Sequence, residues 1–174
     1  MSNGFFNNYF ISDKEDIIIS KEKVYKNKPK NLKFHYFDKA QNYSLLNNHR
    51  FSRIIASYVW EHIENPEENF LNWVKMLDSN GNLSIAIPCD PGFGWRLGQI
   101  YKKKDQKKIL GLDKKAFDLE ISREHINPAH RLIRIANYYF PNCKWSFFPF
   151  PFLPIIEFNL VAYIQLSISD FKEV

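Results

Sequence analysis

The sequence predicts an α/β fold in which a mostly parallel sheet carries helices on both faces. The run FSRIIASYV is apolar on both faces at Ile54, Ile55 and Ala56, which is typical of a strand buried between two layers of helices. A helical pattern follows this run, and a strand, LSIAIP (Leu83 to Pro88), comes next. Strand, helix and strand within about 35 residues form a βαβ unit, whose two strands are parallel.

Further elements are predicted on both sides of this unit. Two short strands, NNYFIS and LKFHYFD, precede it and end near Asp13 and Asp38. The turn CDPGFG and a helix follow it, and a strand within FNLVAYIQLSI is the last element. No repeat or linker interrupts the sequence, so residues 1–174 are predicted to form a single domain.

Two helices have clear sequence signals. Asn65 can cap the first helix, Pro66 suits its first position, and DSNGN ends it. Pro128 can open the second helix. Helical spacing predicts two inward-facing sets: Phe70, Leu71, Val74 and Leu77 in the first helix, and Leu132, Ile135, Ala136 and Tyr139 in the second.

The composition narrows the class of protein. Hydrophobic residues make up 45% of the chain and the net charge is +5, as expected of a globular protein. Two cysteines cannot build a disulfide framework, and their scarcity favours a cytoplasmic location. Prolines interrupt the most apolar segment, residues 145–168, so no integral membrane segment is predicted. Two lysine clusters, at residues 21–33 and 102–108, lack interleaved aromatic residues, so we interpret them as solvated surface and expect no nucleic-acid binding.

The carboxyl ends of the strands are the expected ligand side of such a sheet. Asp13 follows the first predicted strand, where an acid can accept hydrogen bonds from ribose hydroxyls or cap a helix. Asp38 follows the second and could accept from an exocyclic amine. Glu61 and His62 follow the third, in the hinge YVWEH, where they bind a ligand or only brace the next helix.

The stretch RFSRIIASYVWEHIENPEENFLNWVKMLDSNGNLSIAIPCDPG, together with FDKA before it, resembles class I S-adenosylmethionine-dependent methyltransferases, in particular the type 11 group. Asn80-Gly81 stands where that family usually has two glycines. The resemblance implies a Rossmann-like sheet with an antiparallel last strand. It also implies methyl transfer from S-adenosyl-L-methionine to a small, sugar-linked or lipid-linked acceptor.

Positions that match the family's pattern suggest which residues bind the cofactor and the acceptor. The cofactor-binding set implied by the resemblance is Asp13, Asp38, Ala56, Ser57, Tyr58 and His62. The segments CDPGFGWRLG and REHINPAHRL are similar to those that border the acceptor pocket in a subgroup of the family. They suggest Asp90, Arg123, Glu124, His125 and His130 as acceptor-binding residues, although a polar loop held by Pro128 explains the second segment slightly better. No catalytic base is assigned.

A metal site made of Cys89, Asp90, His125 and His130 has no standard ligand spacing, so none is predicted.

One part of the family's pattern has no counterpart in this sequence. The family's glycine-rich loop follows its first strand and receives the methionine part of the cofactor, but this sequence has only Gly4 before its first predicted strand. The resemblance therefore implies an N-terminally truncated domain that lacks the first strand and this loop. Such a chain could be inactive, could pair with a partner chain that completes the sheet, or could be a degenerate binding or scaffolding protein.

The segment FFPFPFLPII (Phe147 to Ile156) combines four phenylalanines with three prolines. An exposed aromatic rim that meets an apolar acceptor or partner is one interpretation. Packing between the last two strands is the other.

Overall fold

The computed structural model describes residues 9–13, 32–36, 46, 48–100 and 114–172, which belong to two compact units, Met1–His49 and Arg50–Val174. In the first unit, strands β1 (Tyr9–Asp13) and β2 (Leu32–Tyr36) pair in parallel, with Asp13 opposite Tyr36. Asp38 and nearly all of both lysine clusters lie outside the described residues. The predicted strands NNYFIS and LKFHYFD are therefore present, each with slightly different bounds.

The second unit is built on a four-stranded sheet with the order β3-β4-β6-β5. Its strands are β3 (Phe51–Ser57), β4 (Leu77–Pro88), β5 (Ser146–Phe148) and β6 (Val161–Ser167). β3 and β4 are parallel, whereas β6 runs antiparallel to both β4 and β5. The antiparallel last strand is thus confirmed.

Helices connect these strands. They are α1 (Pro66–Met76), α2 (residues 93–100), α3 (Lys114–Glu124) and α4 (Ala129–Tyr139). Short 3₁₀ turns lie at Trp60–His62, Ile156–Phe158 and Ile168–Asp170. None of the helices in the described ranges is both long and apolar enough to cross a bilayer.

The structure corrects the predicted start of β4. Leu77 pairs with Phe51 and Asn82 with Arg53, so the segment DSNGN is a bulge within β4 and not a turn before it. A Cβ on Gly81 would lie 2.9 Å from the carbonyl oxygen of Phe51. Glycine therefore allows the bulged strand to approach β3 this closely.

The core lies on one face of the four-stranded sheet. Alternate residues of β6, Ala162, Ile164 and Leu166, are buried there, as alternation along a strand requires. On the helical side, the ring of Phe70 in α1 stacks on Trp60 at 5.0 Å and meets Phe140 edge-on at 5.9 Å. Aromatic rings from α1, from the turn at Trp60 and from Phe140 directly after α4 therefore pack together in the core.

Two predicted inward positions are corrected. Leu71 and Ile135 are only half-buried, whereas Trp73 and Ala129 are buried. Since each helix winds by 3.6 residues per turn, these neighbours point more directly at the sheet. Leu77 is buried as well, but it is the first residue of β4 and not part of α1.

The prediction that β3 is buried on both faces is also wrong. Ala56 is buried, but Ile55 is 68% exposed. Successive strand residues point to opposite faces, and Ile55 points into an open groove of about 420 Å³ that Tyr163 and Gln165 of β6 also line.

Candidate functional site

A strained backbone position marks the carboxyl end of β3. Tyr58 has φ 55°, and it is the only non-glycine residue in the described ranges with a positive φ. Its N–H donates to the carbonyl oxygen of Ala86 at 3.0 Å. A bulky residue in the left-handed region costs of order 1–3 kcal/mol, and such strain occurs preferentially at functional sites.

Trp60 anchors the hinge that follows. Its ring is fully buried against Phe70, and its Nε1–H donates to the carbonyl oxygen of Pro66 at 2.8 Å. No side-chain hydrogen bond caps α1. Trp60 therefore anchors the hinge, and Glu61 and His62 do not cap α1.

Glu61 is the most unusual polar residue of the hinge. It is 1% exposed, and neither carboxyl oxygen has a hydrogen-bond partner within the described part of the chain. Its Oε1 lies 3.6 Å from Nε2 of His62. Burial, opposed in part by the nearby His125, raises the pKa of the Glu61 carboxyl to about 7.

Two histidines converge beside this carboxyl group. Nδ1 of His62 lies 2.8 Å from the carbonyl oxygen of Glu124, and Nδ1 of His125 lies 3.0 Å from Oδ2 of Asp90. The two imidazole rings meet edge-to-face with their centroids 4.9 Å apart. The hinge after β3 and the loop after α3 therefore form one site.

Asn127 holds these two segments together, and the sequence analysis did not single it out. Its backbone N–H donates to the carbonyl oxygen of Glu61 at 3.0 Å. Its side-chain amide donates to the carbonyl oxygens of Trp60 and Ile63, and its Oδ1 accepts from Arg131 at 2.7 Å. The only sequence signal was an asparagine directly before Pro128, which is common in turns.

A cleft of about 440 Å³ opens next to the two histidines. Of the residues predicted to bind an acceptor, Asp90 and His125 line it, whereas Arg123, Glu124 and His130 are exposed and are not among its lining residues. The other residues that line it come from three segments: Pro91, Trp95, Arg96, Gln99, Phe117, Asp118, Ile121, Ser122 and Pro128.

Neither the helix α3 nor the cleft-lining residues of α2 were identified from the sequence. Phe117 and Ile121 are spaced i, i+4 and share one face of α3, which was the available signal. A mostly polar sequence around them hid this short stripe. The prediction that CDPGFGWRLG and REHINPAHRL border one pocket nonetheless agrees with the geometry, because Ala129 N–H also donates to the carbonyl oxygen of Asp90 at 2.9 Å.

The predicted cofactor residues fall in different parts of the chain. Ala56 is buried and Ser57 and Tyr58 are exposed, all at the carboxyl end of β3. Asp13 is the last residue of β1, in the first unit.

Cys89, by contrast, is unsuited to metal ligation. It is fully buried, and burial raises the pKa of its thiol to about 12.

The aromatic rim is exposed. Phe148 and Phe150 are about half exposed, and Phe152 is 82% exposed, while Phe147 packs into the core. The alternative in which all these rings pack between the last two strands is wrong.

Solved structures with a similar architecture include several methyltransferases. The plantazolicin methyltransferase BpumL, in complex with a monoazolic desmethylPZN analogue and SAH, superposes with a TM-score of 0.59 at 14% identity, over 92% of this chain and 66% of that one. The CurJ carbon methyltransferase gives 0.59 at 14% identity, over 92% of this chain and 41% of that one. A SAM-dependent methyltransferase from Anabaena variabilis gives 0.52 at 15% identity, over 94% and 69%.

No protein-family model and no curated protein matches the sequence. The chain spans 66% of the length of BpumL, and at such low identity the likeness is one of fold. The strand order, the antiparallel last strand and these superpositions agree. The chain has the fold of the class I S-adenosylmethionine-dependent methyltransferases.

Proposed function

We propose that this chain takes part in methyl transfer from S-adenosyl-L-methionine to a small acceptor. One observation carries the proposal: in a class I methyltransferase fold, a strained hinge follows the carboxyl end of β3 and contacts His125, which lines a cleft together with Asp90 after β4. Ligands of such sheets bind at the carboxyl ends of the strands. The similar BpumL structure contains SAH, the product that S-adenosylmethionine leaves after methyl transfer.

The resemblance assigns a role to each predicted cofactor residue. Asp13 would accept hydrogen bonds from the ribose hydroxyls and Asp38 from the adenine amine. Ala56, Ser57, Tyr58 and His62 would line the cofactor at the end of β3. Binding and orientation are what the protein must supply, because methyl transfer is an in-line displacement of the sulfonium group by the acceptor's nucleophilic atom.

In this proposal the methyl acceptor binds in the cleft beside His125. Its lining combines one cation, Arg96, with the acids Asp90 and Asp118 and the rings of Trp95 and Phe117. Such a mixed lining suits a small molecule with both polar and apolar parts. The sugar-linked or lipid-linked acceptor is the finer part of the proposal, and the exposed phenylalanines of the rim support a lipid-linked one.

Cofactor affinity is expected to be weak for these 174 residues alone. The sequence contains no glycine-rich loop of the family's type, so the methionine end of the cofactor has no close backbone cradle within it. A partner chain that completes the sheet would supply this cradle.

The test is calorimetric titration of the purified chain with SAH, followed by a methyl-transfer assay with labelled cofactor. We expect saturable but weak binding that Asp13→Asn weakens further. Glu68→Gln, on the exposed face of α1, is the control and should change nothing. Tight binding with turnover would contradict the expected weak affinity but support the methyltransferase function. The complete absence of saturable binding would contradict the proposal and favour the scaffolding alternative.

A further inference from the structure

We propose that Glu61, His62 and His125 form a binding site for a divalent transition-metal ion, with Zn²⁺ as the best fit. One potential ligand atom from each of the three residues lies within 4.8 Å of the other two. Two imidazoles and one carboxylate are a ligand set of catalytic zinc sites, in which a fourth position stays open. The site shares His62 with the proposed cofactor-binding residues, but the observations that support it do not depend on methyl transfer.

Hydrogen bonding selects the same tautomer in both imidazoles. A carbonyl oxygen only accepts hydrogen bonds, so Nδ1 of His62, 2.8 Å from the carbonyl oxygen of Glu124, must carry its proton. The carboxylate of Asp90 fixes the same tautomer of His125, at 3.0 Å. In both rings Nε2 is then the nitrogen with the lone pair.

These Nδ1 contacts also match the outer shell of known metal sites. A histidine that binds a metal almost always donates its other N–H to a carboxylate or a backbone carbonyl, which orients the ring and increases its basicity. His125 has the carboxylate partner, Asp90, and His62 has the carbonyl partner, Glu124. A pair of histidines that only pack in a core would not need both features.

Glu61 is the independent observation. Its side chain is 2% exposed, it points toward Nε2 of His62 at 3.6 Å, and neither oxygen has a hydrogen-bond partner among the described residues. A buried carboxylate without a partner is costly, whereas a bound cation would neutralise it. Ligand atoms around a tetrahedral zinc are about 3.3 Å apart, since each bond is about 2.0–2.1 Å long, so the Glu61–His62 pair is already close to this separation.

The ligand types select the metal. Mg²⁺ and Ca²⁺ prefer sites made of oxygen ligands, and two imidazole nitrogens favour Zn²⁺ or a similar ion. Because His125 also lines the cleft, a bound ion would lie at its inner edge. An oxygen atom of a molecule in the cleft could then occupy the open position.

The test uses the purified chain after treatment with a chelator. Calorimetric titration with ZnCl₂ should give one saturable site, and Co²⁺ should give the visible absorption of a four-coordinate ion. Glu61→Gln, His62→Asn and His125→Asn should each weaken Zn²⁺ binding by about tenfold or more. Asp90→Asn, which removes the outer-shell partner, should weaken it by roughly 10–100-fold.

His130→Asn is the matched control, because His130 lies on α4 and outside the cluster. It should leave Zn²⁺ affinity within about twofold. Circular dichroism of each variant checks that the fold is retained, and Glu61→Gln is nearly isosteric. The absence of a saturable site in the native chain would overturn the proposal. So would Zn²⁺ binding that survives in both Glu61→Gln and His125→Asn, or that His130→Asn weakens to the same extent.

Discussion

At the scale of single residues, Glu61 costs the fold stability but lies where it could bind a metal ion. Its carboxyl group is buried in the hinge and has no hydrogen-bond partner among the residues that the structure describes, and burial raises its pKa from 4.5 to about 7. A folded protein gains nothing in stability from such a group at neutral pH. Its position beside two histidines is explained if the three residues bind a metal ion.

This pKa shift predicts how stability depends on pH. As the pH rises above 4.5, the unfolded chain loses the Glu61 proton while the folded protein keeps it, so the free energy of unfolding falls until the pH passes about 7. The full effect is about 3 kcal/mol. Glu61→Gln removes this titration and should therefore stabilise the metal-free protein at pH 8, with little effect below pH 4.5.

Urea unfolding of both proteins in the presence of a chelator measures this difference. The exposed Glu68→Gln serves as the control and should show no such pH-dependent gain. Equal stabilities of native chain and Glu61→Gln at pH 8 would contradict the argument.

Asp38 is the second residue-scale prediction, and it rests on the resemblance because it lies outside the described residues. Asp38→Ala should remove a charge-assisted hydrogen bond to the cofactor, worth roughly 1.5–3 kcal/mol. Calorimetry of SAH binding, with any partner chain that completes the sheet, measures the loss. An affinity within about twofold of the native value would show that Asp38 does not touch the cofactor.

At the scale of elements, the site depends on how the hinge and the loop between α3 and α4 are joined. Asn127 makes this connection through its backbone N–H and through both ends of its amide side chain. It is 2% exposed, so its hydrogen bonds are shielded from water. Together with the bond from His62 to the carbonyl oxygen of Glu124, this connection holds the two histidines near each other.

Asn127→Ala should therefore destabilise the fold and separate the two segments. Removing the amide leaves the carbonyl oxygen of Ile63 without its Asn127 donor, at roughly 1–3 kcal/mol for a buried group left unpaired. The carbonyl oxygen of Trp60 loses one of its two donors and keeps the bond from the N–H of Ile63 at 3.4 Å. Chemical denaturation measures the change, with the exposed Asn80→Ala of the β4 bulge as its control. A loss no larger than that of the control would show that Asn127 does not hold the segments together.

At the scale of the whole molecule, the exposed apolar surface is the feature to explain. The exposed apolar residues of this segment are three phenylalanines and two aliphatic residues that follow them in the sequence: Phe148, Phe150, Phe152, Leu153 and Ile155. Apolar patches of this kind mark binding sites or promote association.

Replacing Phe150 and Phe152 with serine should reduce concentration-dependent association of the chain without lowering its melting temperature, because both rings are exposed. Sedimentation velocity and thermal unfolding measure the two effects. Phe147→Ser is the contrasting variant: its ring is buried, so it should lower the melting temperature. Unchanged association in the double variant would exclude the rim as the contact surface.

The sequence by itself determined the elements whose signals are local. The βαβ unit follows from the apolar run of β3, from Asn65-Pro66 at the start of α1 and from the alternation of β4, all of which involve residues within four positions of each other. The expected ligand side, at the carboxyl ends of the strands, follows from the fold class. The resemblance added the antiparallel last strand.

Only the tertiary structure decided which distant side chains meet. The hinge glutamate and histidine were visible in the sequence, but their partner loop lies about sixty residues further along, since Glu124 is 62 positions after His62. Packing of Trp60 on Phe70 and the hydrogen bonds of Asn127 bring the two segments together, and no local pattern encodes such contacts. The metal-ligand geometry of Glu61, His62 and His125 arises from this packing, because ligand spacing along the chain and ligand spacing in space are unrelated when the ligands lie on separate elements.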